Sequence, residues 1–361
     1  MDDLSKIISR EVGCAGPLSF ARFMELALYI PQLGYYERNK QIGCRGDFYT
    51  SVSAGPLFGE LLAVRFLQWL EPLLPTSHAF QILEAGAHEG QLAGDVLAAL
   101  KRLSPEVFRR LQYWIVEPSP IRQSWQREYL DGFVENVRWF ESWQETPPVC
   151  GVIFSNELLD AMPVRRFYWN GQETAWREWL VDWDGQRFCW KRGDRPPGAG
   201  LSLPLIPEEL ARVLPDGFSV EVSSAAVAWW KEAAQRLQQG KLVALDYGCE
   251  ENELLRPERF NGTVRAYFHH RLSENVLERP GEQDITAHVN FTAIRRAGEA
   301  AGLKSEEIIS QSQFLTEAVS LLMKNPEAAT EWTAAKSRQF QTLAHPDHLG
   351  RAFRVLVQSR D

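Results

Sequence analysis

Phe80-Gln81-Ile82-Leu83-Glu84-Ala85-Gly86-Ala87-His88-Glu89-Gly90 is the stretch that decides the fold. A short apolar run ends in an acidic residue and a glycine turn, and an amphipathic pattern follows, which is the order strand, turn, helix. The same alternation recurs outward along the chain. Apolar runs predict strands at 80–83, 113–116, 137–140, 151–154 and 241–245, and helical spacing predicts helices at about 90 to 102, 119 to 130 and 223 to 239. Strands alternating with helices predict an α/β fold built on a doubly wound, mostly parallel sheet, in which ligands bind beyond the carboxyl ends of the strands.

Upstream, Phe20, Phe23, Met24, Leu26 and Ala27 keep helical spacing behind Ser19 and stop at Pro31. A loop rich in glycine, aromatic and hydroxyl residues then leads to a second helix from about Pro56 to Leu74. Between the fourth and fifth strands, 164–169, 174–182 and 186–191 alternate with period two around Asn170-Gly171 and Asp184-Gly185. Both dipeptides are hairpin turn signals, so an antiparallel insert of three strands is expected, closed by the Pro/Gly-rich stretch 193–207. Five of the thirteen Trp lie in it, at 169, 176, 179, 183 and 190, and are expected to cover its apolar face rather than to form a ligand cage. The expected division is an N-terminal region, 1–75, covering the site, and a core, 76–361, carrying the insert at about 164–207.

Composition narrows the function classes. With 361 residues, 45% hydrophobic and 24% charged, the chain can bury a sizeable core, which excludes whole-chain disorder. The 39 basic and 47 acidic residues give a net charge of -8 with no block of five like charges, which argues against nucleic acid and for basic partners. No stretch free of Asp, Glu, Lys and Arg exceeds 12 residues, too short for a membrane-spanning helix, so a soluble protein is expected. Met1-Asp2-Asp3-Leu4-Ser5-Lys6 carries early acidic residues and no apolar run, so cytoplasm is the expected compartment. The five cysteines are too far apart for a disulfide frame or a zinc site and are expected to be free thiols, mostly buried. In His345-Pro346-Asp347-His348 the proline breaks the helix that would align two metal ligands, so no metal is expected. Neither Gly-x-Ser-x-Gly nor His-Glu-x-x-His occurs, which removes the usual support for a serine hydrolase or a zinc protease.

Three motifs open on the expected ligand-binding edge. The turn Glu84 to Gly90 lets backbone N–H groups approach a ligand, but its spacing is not that of the dinucleotide fingerprint and no Walker lysine follows. Glu117, 27 residues beyond Gly90, ends the second strand, where a carboxylate can accept both hydroxyls of a ribose; with Gly86 and Gly90 it suggests an adenosine-containing ligand. Asn156, Glu157 and Asp160 follow the fourth strand, where carboxylates can hold a guanidinium or an amine and the amide can orient its nitrogen. Asn156 and Asp160 could equally cap the next turn.

The whole pattern resembles the MidA-like S-adenosylmethionine-dependent methyltransferases, a family that includes a mitochondrial arginine methyltransferase. The resemblance rests on Gly34-Tyr35-Tyr36, Gly46-Asp47-Phe48-Tyr49-Thr50-Ser51, Phe58-Gly59-Glu60-Leu61-Leu62, Glu84-Ala85-Gly86, Glu117, the run Asn156 to Val164, Trp176-Arg177-Glu178 and Asp246-Tyr247-Gly248. Gly262 to Tyr267 with His270, Pro280 to Phe291 and Leu349-Gly350-Arg351-Ala352-Phe353 complete it, in the family's order. The resemblance implies a Rossmann-like class I core with a seven-stranded sheet, S-adenosylmethionine as methyl donor and, in the mitochondrial members, a protein arginine as acceptor. Carried over, Glu84, Gly86, His88, Gly90 and Glu117, helped by Thr50 and Ser51, would line the cofactor. Asn156, Glu157 and Asp160 would face the transferred methyl, and His270 and Asp284 would come from loops that close the site.

Three positions depart from the family pattern: His88 stands at the middle glycine, Asn290 at a usual aspartate, and Val52-Ser53-Ala54 in place of Pro-Glu-Ile. They motivate a second reading, a non-catalytic assembly factor on the same fold. A small-molecule methyltransferase is a third. The acceptor, the number of methyl groups and the oligomeric state, a homodimer included, stay open at this level.

Overall fold

The computed structural model describes residues 2–38, 50–75, 78–198, 200–268, 271–273, 275–324 and 332–361. The chain forms two compact units, one of residues 1–48, 160–229 and 248–294, the other of residues 49–159, 230–247 and 295–361. They are called the insert unit and the sheet unit below. The N-terminal region is thereby divided: residues up to 48 belong to the insert unit, whereas Leu57–Leu70 packs its buried Phe58, Leu62 and Phe66 into the core of the sheet unit.

Seven strands, numbered along the chain, build the sheet of the sheet unit. They are β1 (Phe80–Ala85), β2 (Leu111–Val116), β3 (Val137–Phe140), β4 (Val149–Asn156), β5 (Leu237–Cys249), β6 (Lys304–Ser310) and β7 (Phe353–Arg360), in the order β6-β7-β5-β4-β1-β2-β3. The pairs from β5 to β3 are parallel and β7 is antiparallel to both its neighbours. This is the expected α/β architecture, a mixed and mostly parallel sheet. The order reverses at β1, whose neighbours β2 and β4 lie on opposite sides, so the carboxyl ends of β1, β2 and β4 share the edge where such sheets bind ligands.

All five expected strands form, each reaching the expected run or extending beyond it, because flanking residues join the ladder. The expected helices appear as Gln91–Leu103, Pro120–Tyr129 and Ser224–Arg236. Ser119 caps the second through its hydroxyl, which accepts from the N–H of Arg122, and Pro120 follows at the first helical position. β1 and β4 are buried on both faces, as is β5 from Leu242 to Asp246. Fully buried Phe154 on β4 meets the Phe66 ring at 5.0 Å.

In the insert unit, Arg165–Asn170, Ala175–Trp183 and Phe188–Arg192 form the expected antiparallel meander, extended to five strands by Leu18–Ser19 and Ser219–Val222. A second sheet pairs Arg265–Phe268 with Arg271–Ser273 and with Asp284–Thr286. The first hairpin loop has the expected length and the second is one residue longer than expected. Asn170 pairs with Ala175 and Trp183 with Phe188, leaving four residues in each loop. The cause is local, since Asn170 Oδ1 accepts from the N–H groups of Gln172 and Glu173, and Asp184 Oδ1 from those of Gln186 and Arg187. The tryptophans also cover two faces rather than one. Trp169 and Trp176 join a cluster with Phe167 and Phe218, while Trp183 and Trp190 pack in a separate cluster with Phe20 and Phe23, the opposite parity along the strand.

Of the described cysteines, Cys14 is exposed, Cys150 and Cys189 are half-buried and Cys249 is buried; none of the four forms a disulfide, and Cys44 lies outside the described residues. The expectation of mostly buried thiols is thus corrected: Cys14 sits on the outer side of an amphipathic helix, Asp3–Ala15, whose inner face is Leu4, Ile8 and Val12. Among the described residues no helix is long and apolar enough to cross a membrane. Replacing Phe154 with Ala should cost about 3–5 kcal/mol, because the strand it stands on is packed on both faces and cannot collapse into the void. Denaturant unfolding would check this, with a loss below about 1 kcal/mol contradicting the central placement of β4.

Candidate methyl-donor site

β1 delivers Glu84 and Ala85 to the sheet edge, and the chain turns there through Gly86, with φ +79°. A side chain at Gly86 would meet Leu158 Cδ1 at 2.9 Å, so only glycine lets the turn pass so close. The turn closes with the N–H of Gly90 on the carbonyl of Ala87 at 2.6 Å, and Gly90, at φ +89°, starts the helix Gln91–Leu103. His88 holds a left-handed backbone at φ +44°, the conformation a glycine would supply. Its ring lies 6.0 Å from that of Trp125, and its carbonyl accepts from Gln126 Nε2 at 3.0 Å. The histidine thus keeps the glycine-type backbone at a cost of about 1–2 kcal/mol.

Glu84 is 2% exposed, and Tyr113 Oη donates to its Oε2 at 2.6 Å. Burial pushes its carboxyl up to about 7, against the pull of the Tyr113 hydroxyl. Glu117, 1% exposed, is held by the N–H of Ser119 at 2.9 Å and by Arg122 at 3.2 Å on Oε1, and by Gln126 Nε2 at 3.3 Å on Oε2. The acid expected to present both oxygens to a ribose is therefore already oriented by three donors.

Asn156 is the last residue of β4, and Glu157 follows with φ +50°. Glu157 Oε1 accepts from the N–H of Ser51 at 3.0 Å and from Asn156 Nδ2 at 3.2 Å. Ser51, fully buried, donates its hydroxyl to Gln311 Oε1 at 3.2 Å, and Gln311 Nε2 donates to the carbonyl of Leu343. Thr50 serves the neighbouring turn, its Oγ1 accepting from the N–H of Ser53. Asp246, at 0% exposure on β5, accepts from the N–H groups of Leu158 and Leu159 on Oδ2 and of Tyr247 on Oδ1.

Thr50, Ser51, Glu84, Gly86, His88, Gly90, Glu117, Asn156 and Glu157 all belong to the sheet unit. Asp160 and Asp284 belong to the insert unit, both buried, with the N–H of Ala287 donating to the Asp160 carbonyl at 2.9 Å. His270 and the residues 43–49 lie outside the described residues. Sequence reasoning passed over Gln126, which ties His88, Glu117 and the Trp139 indole together, and Gln311, which anchors Ser51. A polar residue on an apolar helix face was the available signal for Gln311, which shares its face with Phe314, Leu315 and Ala318; Gln126, whose buried helix neighbour is Gln123, offered none. Asp246 stood in the family resemblance without a role; it holds the turn after β4.

Two buried polar atoms at the carboxyl end of β4, Ser155 Oγ and Asn156 Oδ1, have no hydrogen-bond partner among the described residues. Each such vacancy costs about 1–3 kcal/mol, which an arriving donor group would recover. A glycine turn after the first strand and an oriented acid after the second fit an adenosyl amino acid, and the unsatisfied polar atoms after the fourth can accept from a further N–H group. Fold and site together define a class I methyltransferase.

Comparison with known proteins bears this out. Residues 61–309 match the family described as "Putative S-adenosyl-L-methionine-dependent methyltransferase". The crystal structure of a Burkholderia thailandensis protein bound to S-adenosyl-homocysteine is 32% identical, with a TM-score of 0.84, covering 99% of this chain and 92% of that one. Protein arginine methyltransferase NDUFAF7, mitochondrial, is 27% identical in Danio rerio, over 96% of this chain and 85% of that protein. The Homo sapiens protein of that name is 29% identical over 84% of this chain and 70% of its own length. The chain belongs to this S-adenosyl-L-methionine-dependent methyltransferase family, as the MidA-like resemblance implied. Methyl transfer is its chemistry and S-adenosylmethionine its cofactor. The relatives' mitochondrial names overturn the cytoplasmic expectation drawn from the amino terminus.

Two outcomes follow from the geometry. Replacing Gln126 with Leu removes one donor from the His88 carbonyl and one from Glu117, and should weaken S-adenosylhomocysteine binding about tenfold by calorimetry; unchanged affinity would mean the two strand ends hold their places unaided. Because the folded-state pKa of Glu84 is raised, the folded chain binds more protons than the unfolded one between about pH 4.5 and about 7, and stability falls as pH rises through that window. Glu84→Gln should remove the Glu84 share of this decline, on the order of 3 kcal/mol at pH 8, in unfolding titrations of both proteins, leaving the fall below about pH 6 that half-buried Asp95 contributes. A wild-type curve flat across the window would contradict the buried carboxylate.

Proposed function

We propose that the protein methylates a nitrogen of a protein partner, the guanidinium of arginine, using S-adenosylmethionine. Support for the acceptor comes from the relatives named protein arginine methyltransferase. The carrying observation in the chain itself is the pair after β4: Glu157, its Oε1 held by Ser51 and Asn156, beside the unsatisfied amide oxygen of Asn156.

In this reading Glu84, the turn Gly86 to Gly90 with His88, and Glu117 hold the donor, and Ser51 and Thr50 support them. Bound S-adenosylmethionine supplies a methyl group activated by its sulfonium. Asn156 Oδ1 accepts an N–H of the acceptor, and the Glu157 carboxylate orients the nitrogen so that its lone pair is directed at the methyl. The nitrogen must lose a proton during transfer; by the family resemblance, Glu157 or Asp160 would orient the guanidinium and His270 or Asp284 would take the proton. Glu157 is held at φ +50°, backbone strain of about 1–3 kcal/mol of the kind that gathers at sites where a side chain must be aimed.

The test is methyl transfer from radiolabelled S-adenosylmethionine into proteins extracted from cells lacking the gene, followed by acid hydrolysis. Label should appear in methylated arginine. Label confined to lysine, histidine or small molecules would overturn the acceptor. The double variant Glu157→Gln with Asp160→Asn should lose transfer by about 100-fold or more while donor affinity changes by less than about threefold; retained turnover would remove both residues from the mechanism.

A further inference from the structure

We propose that Arg259, Arg265 and His288 form a carboxylate-binding site, through which the insert unit holds an acidic side chain of the protein partner. The partner is taken from the reading above, whereas the site stands without it, and all three residues belong to the insert unit. Arg259 Nη1 donates to His288 Nδ1 at 2.9 Å. A guanidinium can only donate, so Nδ1 is the acceptor and the ring carries its proton on Nε2, where it faces an incoming acceptor as a donor. Burial first, then the charges of Arg259 and Arg265, push the imidazole down to about 4, so near neutral pH it stays uncharged. Arg265 comes from the second sheet, where it opposes Thr286, two residues before His288. The His288 N–H donates to Thr263 Oγ1 at 3.1 Å, which fixes the backbone that carries the ring.

Neither arginine pairs with a carboxylate among the described residues, although Arg265 Nη1 donates to the Val264 carbonyl. Elsewhere in the unit Arg22, Arg165, Arg166, Arg177, Arg192 and Arg212 each have such a partner. The acids nearby are already engaged. Glu221 accepts from the N–H and the hydroxyl of Thr263 and pairs with Arg166 at 3.5 Å. Glu253, which also acts on the His288 ring, accepts from the N–H of Glu250 and pairs with Arg256 at 3.8 Å. Two guanidinium charges acting on one imidazole repel each other, and a carboxylate relieves this by taking N–H bonds from the guanidinium forks and from Nε2. Arg265 is exposed, and Arg259 and His288 are half-buried, so the group is within reach of a partner. The net charge of -8 repels a polyanion from the chain as a whole, whereas a single carboxylate meets only this local excess of positive charge.

The probes are glutamate capped at both ends and its glutamine counterpart, titrated into the full-length protein labelled at histidine nitrogens. The Nε2–H resonance of His288, assigned by its loss in His288→Asn, should shift with capped glutamate and not with capped glutamine. The double variant Arg259→Gln with Arg265→Gln keeps an amide donor beside Nδ1 and removes both charges, so it should lose the shift; Arg265→Gln alone supplies the answer if the pair does not fold. With the extract proteins as acceptor, the double variant should raise the apparent KM about tenfold and lose the rise of KM with salt that wild type shows, with the donor Kd within about twofold. Arginines that only brace the turn would change melting alone. No glutamate shift in wild type, or the same salt dependence of KM in both proteins, would overturn the proposal. A glutamate shift with no transfer by wild type would uphold the site and overturn the assigned acceptor instead.

Discussion

Everything at the donor site depends on how β4 ends. A strand that has been hydrogen-bonded to both neighbours must release its chain into a turn, and Asp246 governs that release. Its carboxylate takes up three backbone N–H groups, two of them from Leu158 and Leu159, which would otherwise be buried without acceptors. The Glu157 N–H still pairs with the carbonyl of Leu245. Between these two anchors Glu157 has little choice of conformation, and it takes the left-handed one. Leu158 follows, packed where a side chain on Gly86 would have to stand, so the first and fourth strand ends constrain one another.

A second layer of buried amides carries this order outward. Gln126 links the turn after β1 to the acid after β2, and Gln311 passes support through Ser51 to Glu157. Amides suit this work because each offers donors and an acceptor without a charge to desolvate. The charged groups they serve, Glu117 and Glu157, are thereby held in fixed orientations. His88 fits the same account: its backbone does what a glycine would do and its carbonyl is held, so the departure from the family pattern falls on a side chain directed toward Trp125.

The strands, the helices and the existence of the insert were legible because each rests on local periodicity and on turn residues. Gly86 and Glu117 were legible as a pair because they stand at adjacent strand ends of a doubly wound sheet, whose order follows from the right-handed crossover. The extent of the second hairpin loop was not, since Asp184 accepts from two N–H groups of its own loop and so sets it one residue longer. The tryptophans were misjudged as one face because their positions, 169 and 176 against 183 and 190, differ in parity across a meander whose register only pairing sets.

By itself the sequence determined the fold class, the ligand-binding edge and, through ordered motifs spread along the chain, the methyltransferase family. Those follow from patterns within a few residues, or from the order of such patterns. Tertiary structure alone decided which side chain serves which. That Tyr36 meets Asp284, that Ser51 meets Glu157, and that Gln126 joins two strand ends are contacts between residues from 9 to 248 positions apart. No local propensity encodes them, because they arise only when buried polar groups, brought together by packing, must find partners inside the protein.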